Sequence, residues 1–155
     1  SLSRIYDGKF VPLHAPARVS SRNIRDELLK EDSLLPAIYL TQKLDIAVVG
    51  IGYPNEKSAI MATGYFKENE IESLIDRKVA GELCMQFYDI YGDTAPYKDD
   101  NNVIGMDISM LRSVPRSIGI AGGVEKLRAV RGAINGHYIN TLITDIECAE
   151  ALISE

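Results

Sequence analysis

Tryptophan is absent from these 155 residues, and cysteine and histidine occur only twice each. Cys84 and Cys148 lie far apart, each among apolar or small neighbours, with neither C-x-x-C nor metal-ligand spacing, so free buried thiols are expected rather than a disulfide framework or a zinc site. Nor is there an excess of positive charge. Lys and Arg total 17 against 22 Asp and Glu, a formal net charge of −5, and no basic run offers the face that phosphate-backbone binding requires. Apolar runs are strand-sized, short of the roughly 20 residues that cross a bilayer, and Ser1–Lys9 lacks the apolar core of a signal peptide. A cytoplasmic location and no membrane partner are therefore expected.

Catalytic motifs are equally scarce. H-E-x-x-H, G-x-S-x-G and G-x-x-x-x-G-K-[ST] are missing. His14 and His137 have no Ser or Cys nucleophile motif nearby. Asp89, Asp93, Asp99 and Asp100 lack the spacing and closing glutamate of a calcium loop. No catalytic residue, metal ligand or cofactor is expected, and the chain reads as a binding module rather than an enzyme.

What is present is a 46% hydrophobic chain, enough for one core in one domain. Short apolar runs alternate with amphipathic stretches, the pattern of an α/β domain with a mostly parallel sheet and helices on both faces. Lys9–Leu13 reads as a first strand and Arg22–Lys43 as helix, broken near Asp32–Ser33. Asp45–Val49 is continuously apolar and reads as a central strand covered on both faces. Gly50 to Asn55 is too rich in Gly and Pro to continue it and reads as a loop. Helix is expected over Lys67–Lys78 and a single strand over Leu83–Tyr88, less buried than the rest. The closing third reads as strand Arg116–Ala121, helix Val124–Asn135, strand Tyr138–Ile143 and helix Asp145–Ile153, the last opened by a Thr144/Glu147 capping box. Val124, Leu127, Val130 and Ile134 form one predicted apolar stripe, and Ile146, Ala149, Leu152 and Ile153 another.

In an open parallel sheet ligands collect beyond the carboxyl ends of the strands, which directs attention to the loops after Val49 and Ala121. Gly122-Gly123 lets backbone approach a bound group, and the unpaired amides of the following helix start favour an anion. Lys126 sits in that first turn, against the helix dipole, where an anionic partner would neutralise it. The plainer alternative is a tight turn followed by a solvated lysine. Gly50-Ile51-Gly52 is no dinucleotide fingerprint, yet its amides could line a pocket. Glu82 at a strand entrance is either a hydroxyl acceptor or a surface charge. Ser58 and Thr63 are possible hydroxyl donors, though loop Ser and Thr are common. Tyr53, Tyr65, Tyr88, Tyr91 and Tyr97 could stack on a sugar or serve as half-buried loop residues.

Taken together, DIAVVGIG (Asp45–Gly52), GYFKENEI (Gly64–Ile71), GELCMQFYDIYGD (Gly81–Asp93) and the run from Asn102 to Ile153 resemble consecutive landmarks of the SorC-type sugar-binding domain. The resemblance implies a Rossmann-like fold akin to ribose-phosphate isomerase and glucosamine-phosphate deaminase, used as a sensor. It implies that Lys126 holds the effector's phosphate or polar end, that Glu82 meets sugar hydroxyls, and that Gly50–Gly52 floors the pocket. It further implies a sugar or sugar-phosphate effector, a homo-oligomer (dimer or tetramer), and operator DNA bound only through a helix-turn-helix domain N-terminal to this segment. The family's glycine-threonine phosphate loop is likewise expected ahead of Ser1, leaving 1–155 an incomplete effector-binding domain. Thr63 stands where some relatives that bind bisphosphorylated sugars use arginine, which points to a monophosphate or an unphosphorylated sugar. The rival reading is an isomerase- or deaminase-type enzyme on the same fold.

Overall fold

The computed structural model describes residues 2–55, 58, 60 and 63–154. A single turn, α1 (Leu2–Ile5), is followed by extended chain that forms no strand of the sheet. The strand expected at Lys9–Leu13 is thus not formed: its backbone joins no ladder among the described strands, and the segment is instead tied down further on by the Arg18–Val103 bridge. Two short helices follow, α2 (Arg22–Leu28), capped by Ser21, and α3 (Leu35–Thr41), opened by Pro36. They are separated at the predicted Asp32–Ser33 break.

The sheet then assembles from β1 (Ile46–Gly52), β2 (Gly81–Leu83), β3 (Gln86–Tyr88), β4 (Arg116–Ile120) and β5 (Thr141–Ile143), in the order β3-β2-β1-β4-β5. β1 is central, as its apolar run predicts, and pairs in parallel with β4, which pairs in parallel with β5. β2 and β3 are antiparallel additions, so the sheet is mixed rather than mostly parallel. The single strand expected over Leu83–Tyr88 is a hairpin, turned by Cys84 and Met85 with φ of 52° and 62°. Both values lie in the left-handed region that Gly and Asn usually announce, and neither residue is there to announce it. Far from being less buried, Leu83, Phe87 and Tyr88 are fully enclosed.

Of the remaining helices, α4 (Glu68–Asp76) lies between β1 and β2 in sequence, and α5 (Leu127–Asn135) joins β4 to β5 after a 3₁₀ turn at Val124–Lys126. The chain closes with α6 (Ile146–Ile153). α5 packs on β1 and β2 and buries Ala129, Val130 and Ala133, while Val124 and Ile134 of the predicted stripe are largely exposed. Small residues let this helix approach the sheet closely. In α6 the inward residue is Cys148, whereas Ile146 and Ile153 face out.

Two apolar clusters hold the fold. One joins Ala47, Ile51, Leu83, Tyr88, α5 and Cys148; the other gathers Ile71 and Leu74 of α4 with Phe66, Phe87 and Tyr97. Phe87 and Tyr88, being successive strand residues, point to opposite faces, so β3 is sandwiched between helices. The β1–β4–β5 half is not. Ile46 and Val48 are 55% and 61% exposed, and Ile120 and Ile143 about half exposed, on a face that no described helix covers. The expectation of helices on both faces therefore holds only at the antiparallel end.

Candidate functional site

Strand register brings the first pair of site residues together. Antiparallel pairing sets Gly52 directly opposite Glu82, and the Glu82 side chain folds across the glycine so that a β-carbon there would collide with Oε1. The carboxylate thus fills the space that a side chain at 52 would need, so any larger residue there would push Glu82 aside. The pairing also explains why Gly50–Gly52, read as loop, continues β1: the strand gains its last pairing from β2 rather than ending at Val49. Ile51 turns its side chain into the core at 4% exposure, so only its backbone can serve a pocket.

Glu82 is held in place by the Met85 amide, which donates to Oε2 at 2.8 Å. Burial raises its pKa above the ordinary carboxylate value, opposed by that amide and by the Lys126 ammonium. Lys126 is half-buried. Among the described residues its ammonium has no ion-pair partner within bonding distance, leaving its donors unused while its field reaches Glu82.

The second cluster forms where β4 and β5 end. Gly123 has φ of 92°, and its amide donates a short hydrogen bond to Asp145 Oδ2. Asp145 Oδ1 accepts from Cys148 at 2.8 Å, so Asp145 caps α6 and the Thr144/Glu147 capping box does not form. Backbone donors, Cys148 first and Gly123 second, hold the Asp145 carboxyl below its usual pKa. A β-carbon on Gly122 would lie 2.9 Å from Asp145 Oδ2, and one on Gly123 would collide with the Glu125 carboxylate. The Gly123 amide is therefore not free for an anion, since Asp145 takes it and the Glu125 carboxylate lies over Gly123. Thr144, at the end of β5, has a buried hydroxyl with no hydrogen-bond partner among the described residues.

Ser58 and Thr63 use their hydroxyls locally, donating to Asn55 O at 2.7 Å and Ile60 O at 2.6 Å. Nothing ties either to Glu82 or Lys126. Tyr88 and Tyr97 are core residues, while Tyr91 is exposed. Asp89 and Asp93 accept backbone amides within their own turn, and Asp100 pairs with Arg77 at 2.8 Å. Among the described residues no cluster of His, Cys, Asp or Glu has metal-holding geometry, and no helix is long and apolar enough to cross a membrane. Sequence reading missed Asp145 and Glu125. The former was visible as a capping residue, the latter only as a charge in a helix start.

Chemically the carboxyl edge thus offers acceptors at Glu82 and Glu125 and a donor at Lys126. Such a mixture suits a polyhydroxylated ligand, whose hydroxyls both donate and accept.

The family described as "Putative sugar-binding domain" matches residues 1–154. The sorbitol operon regulator of Klebsiella pneumoniae is 33% identical over 138 residues, covering 89% of this chain and 44% of that protein. The deoxyribonucleoside regulator of Bacillus subtilis (strain 168) is 28% identical over 147 residues, 95% of this chain and 46% of its own length. Among solved structures, full-length SorC from K. pneumoniae superposes with a TM-score of 0.87 at 30% identity, over 97% of this chain and 49% of that one. The chain spans less than half the length of the curated relatives it matches.

Proposed function

Because this chain belongs to the family of sugar-binding domains carried by SorC-type transcription regulators, we propose that it is an effector-binding domain that senses a sugar, sugar alcohol or sugar monophosphate for a carbohydrate-responsive regulator. The observation that carries this reading is the Glu82 carboxylate folded over Gly52 at the carboxyl end of β1, within the field of the unpaired Lys126 ammonium. Glu82 would accept from ligand hydroxyls and Lys126 would donate to a hydroxyl or to a phosphate oxygen, with Gly50–Gly52 and Gly122–Gly123 supplying backbone close to the ligand. Ser58 and Thr63 join only if their local bonds to Asn55 and Ile60 are exchanged. A phosphate at the glycine doublet would have to displace the Glu125 carboxylate, which favours the hydroxyl-bearing end of the ligand there. The relatives' names, for a sorbitol operon and for deoxyribonucleosides, fit a polyol or pentose class.

Signalling would follow from differential affinity: the effector shifts a homo-oligomer, dimer or tetramer, only insofar as it binds one assembly state better than another. Operator DNA in the cytoplasm would be met by a separate helix-turn-helix domain. Calorimetric titration of sugars, sugar alcohols and their monophosphates tests the site. Lys126→Ala is expected to weaken the best ligand at least about tenfold, roughly 1.4 kcal/mol; unchanged affinity rejects the assignment.

One observation favours the enzymatic alternative, namely that a glutamate with a raised pKa beside an ammonium is the equipment of a general base. The relatives, however, are named as regulators. Incubating the protein with the best-binding sugar phosphate and following it by NMR separates the readings, as an effector domain returns the compound unchanged.

A further inference from the structure

At the outer edge of β3 lies a cleft of about 110 Å³, lined by Arg22, Arg25, Gln86, Thr94, Lys98 and Asn101 together with Ala95, Asp107 and Ile108. It shares no lining residue with the carboxyl edge. Its floor, Gln86 and Ile108, is buried and neutral: the Gln86 amide donates to Met106 O at 2.8 Å, and its oxygen accepts from Ile108 at 3.3 Å. Both ends of that amide are thus engaged by backbone, which fixes its orientation.

The walls are donors. Arg25 is pinned through Nε to Val103 O at 3.0 Å and through Nη1 to Asp26 at 3.2 Å, which keeps its planar guanidinium in place and Nη2 unassigned. Asn101 Oδ1 accepts from Phe87 at 2.9 Å, which turns its NH₂ end away from that bond. Arg22 and Lys98 are exposed, and their side chains form no hydrogen bond or ion pair with a described residue. The one acid on the lining, Asp107, has Oδ1 committed to the Ser109 amide and hydroxyl, at 2.8 and 2.6 Å. Three cations therefore converge on one cavity in a chain whose net charge is −5.

We propose that this cleft is a second ligand site, for a small oxyanion of the phosphate class, free or as the phosphoryl end of a metabolite. A guanidinium fork and an ammonium are the donor geometries that recognise tetrahedral oxyanions, and the cleft has room for one such group. Being separate from the carboxyl edge, it gives the domain a second input.

The test is a titration of the intact chain with inorganic phosphate and, in a parallel arm, glycerol 3-phosphate, followed by amide chemical shifts. Saturable shifts at Thr94, Ala95 and Asn101 are expected, weakened at least tenfold in the Arg22→Ala/Lys98→Ala variant and largely retained in Arg22→Lys. Both replaced side chains are exposed, and an unchanged circular dichroism spectrum shows that the fold is kept. Tighter binding in one arm identifies whether the free ion or the esterified group is preferred. Shifts that do not saturate, or that persist undiminished in the double variant, overturn the proposal, as does binding to duplex DNA without any response to the small anions.

Discussion

At Glu82 three effects compete. Desolvation at the sheet edge favours the neutral acid, while the Met85 amide and the Lys126 ammonium favour the carboxylate; desolvation prevails and the pKa rises above 4.5. An acid whose folded pKa exceeds its unfolded one costs stability when ionised, a cost fully present above the folded value and absent below the unfolded one. Glu82→Gln is accordingly expected to raise the melting temperature at pH 7, to leave it unchanged near about pH 3.5, and to weaken ligand binding. Thermal unfolding at the two pH values checks it, and equal shifts at both would contradict the desolvation argument. A binding group that costs stability is the usual sign of a functional position. Gly52, Glu82, Gly123 and Lys126 could all be picked out from local residue types. That Glu82 folds over Gly52 could not, since it depends on a register set by a hairpin whose turn, Cys84-Met85, carries no turn residue.

β1 illustrates what an element can hide. Its run Ile46-Ala47-Val48-Val49 reads as doubly buried, yet Ala47 and Ile51 are enclosed while Ile46 and Val48 stand open. Apolar composition is necessary for burial on both faces but does not supply the covering element. The consequence is an asymmetry along one strand. Ile51→Ala is expected to cost about 2–5 kcal/mol through lost burial and the cavity left behind, whereas Val48→Lys should stay within about 0.5 kcal/mol. Urea unfolding of both variants measures this, and a Val48→Lys cost matching that of Ile51→Ala would mean that the face is covered. Elsewhere, element types followed from periodicity in α4, α5, α6, β4 and the parallel β4–β5 pair. What went astray were faces and caps: Ala129 and Ala133 rather than Val124 and Ile134 meet the sheet, and Asp145 rather than Thr144 caps α6, because a carboxylate beside two amide donors outcompetes a hydroxyl.

For the molecule as a whole, two clusters on opposite faces of the hairpin lock β2 and β3 against β1, and that locking delivers Glu82 to the carboxyl edge where β4 and β5 deliver Lys126 and Asp145. Fold class and family could be recognised from the order of segments along the chain, because that order repeats the domain's own landmarks. The mixed sheet, the open half-face and the basic cleft at β3 could not, since each depends on contacts between residues distant in sequence. Polyol recognition is proposed to happen at the carboxyl edge, between Gly52–Glu82 and Gly123–Lys126. Amide hydrogen exchange with and without the best-binding sugar tests it most directly. Added protection is expected over residues 50–53, 81–86 and 121–128, with residues 94–109 unaffected by an unphosphorylated sugar. Protection elsewhere, with those three segments exchanging as they do in the free protein, would contradict it.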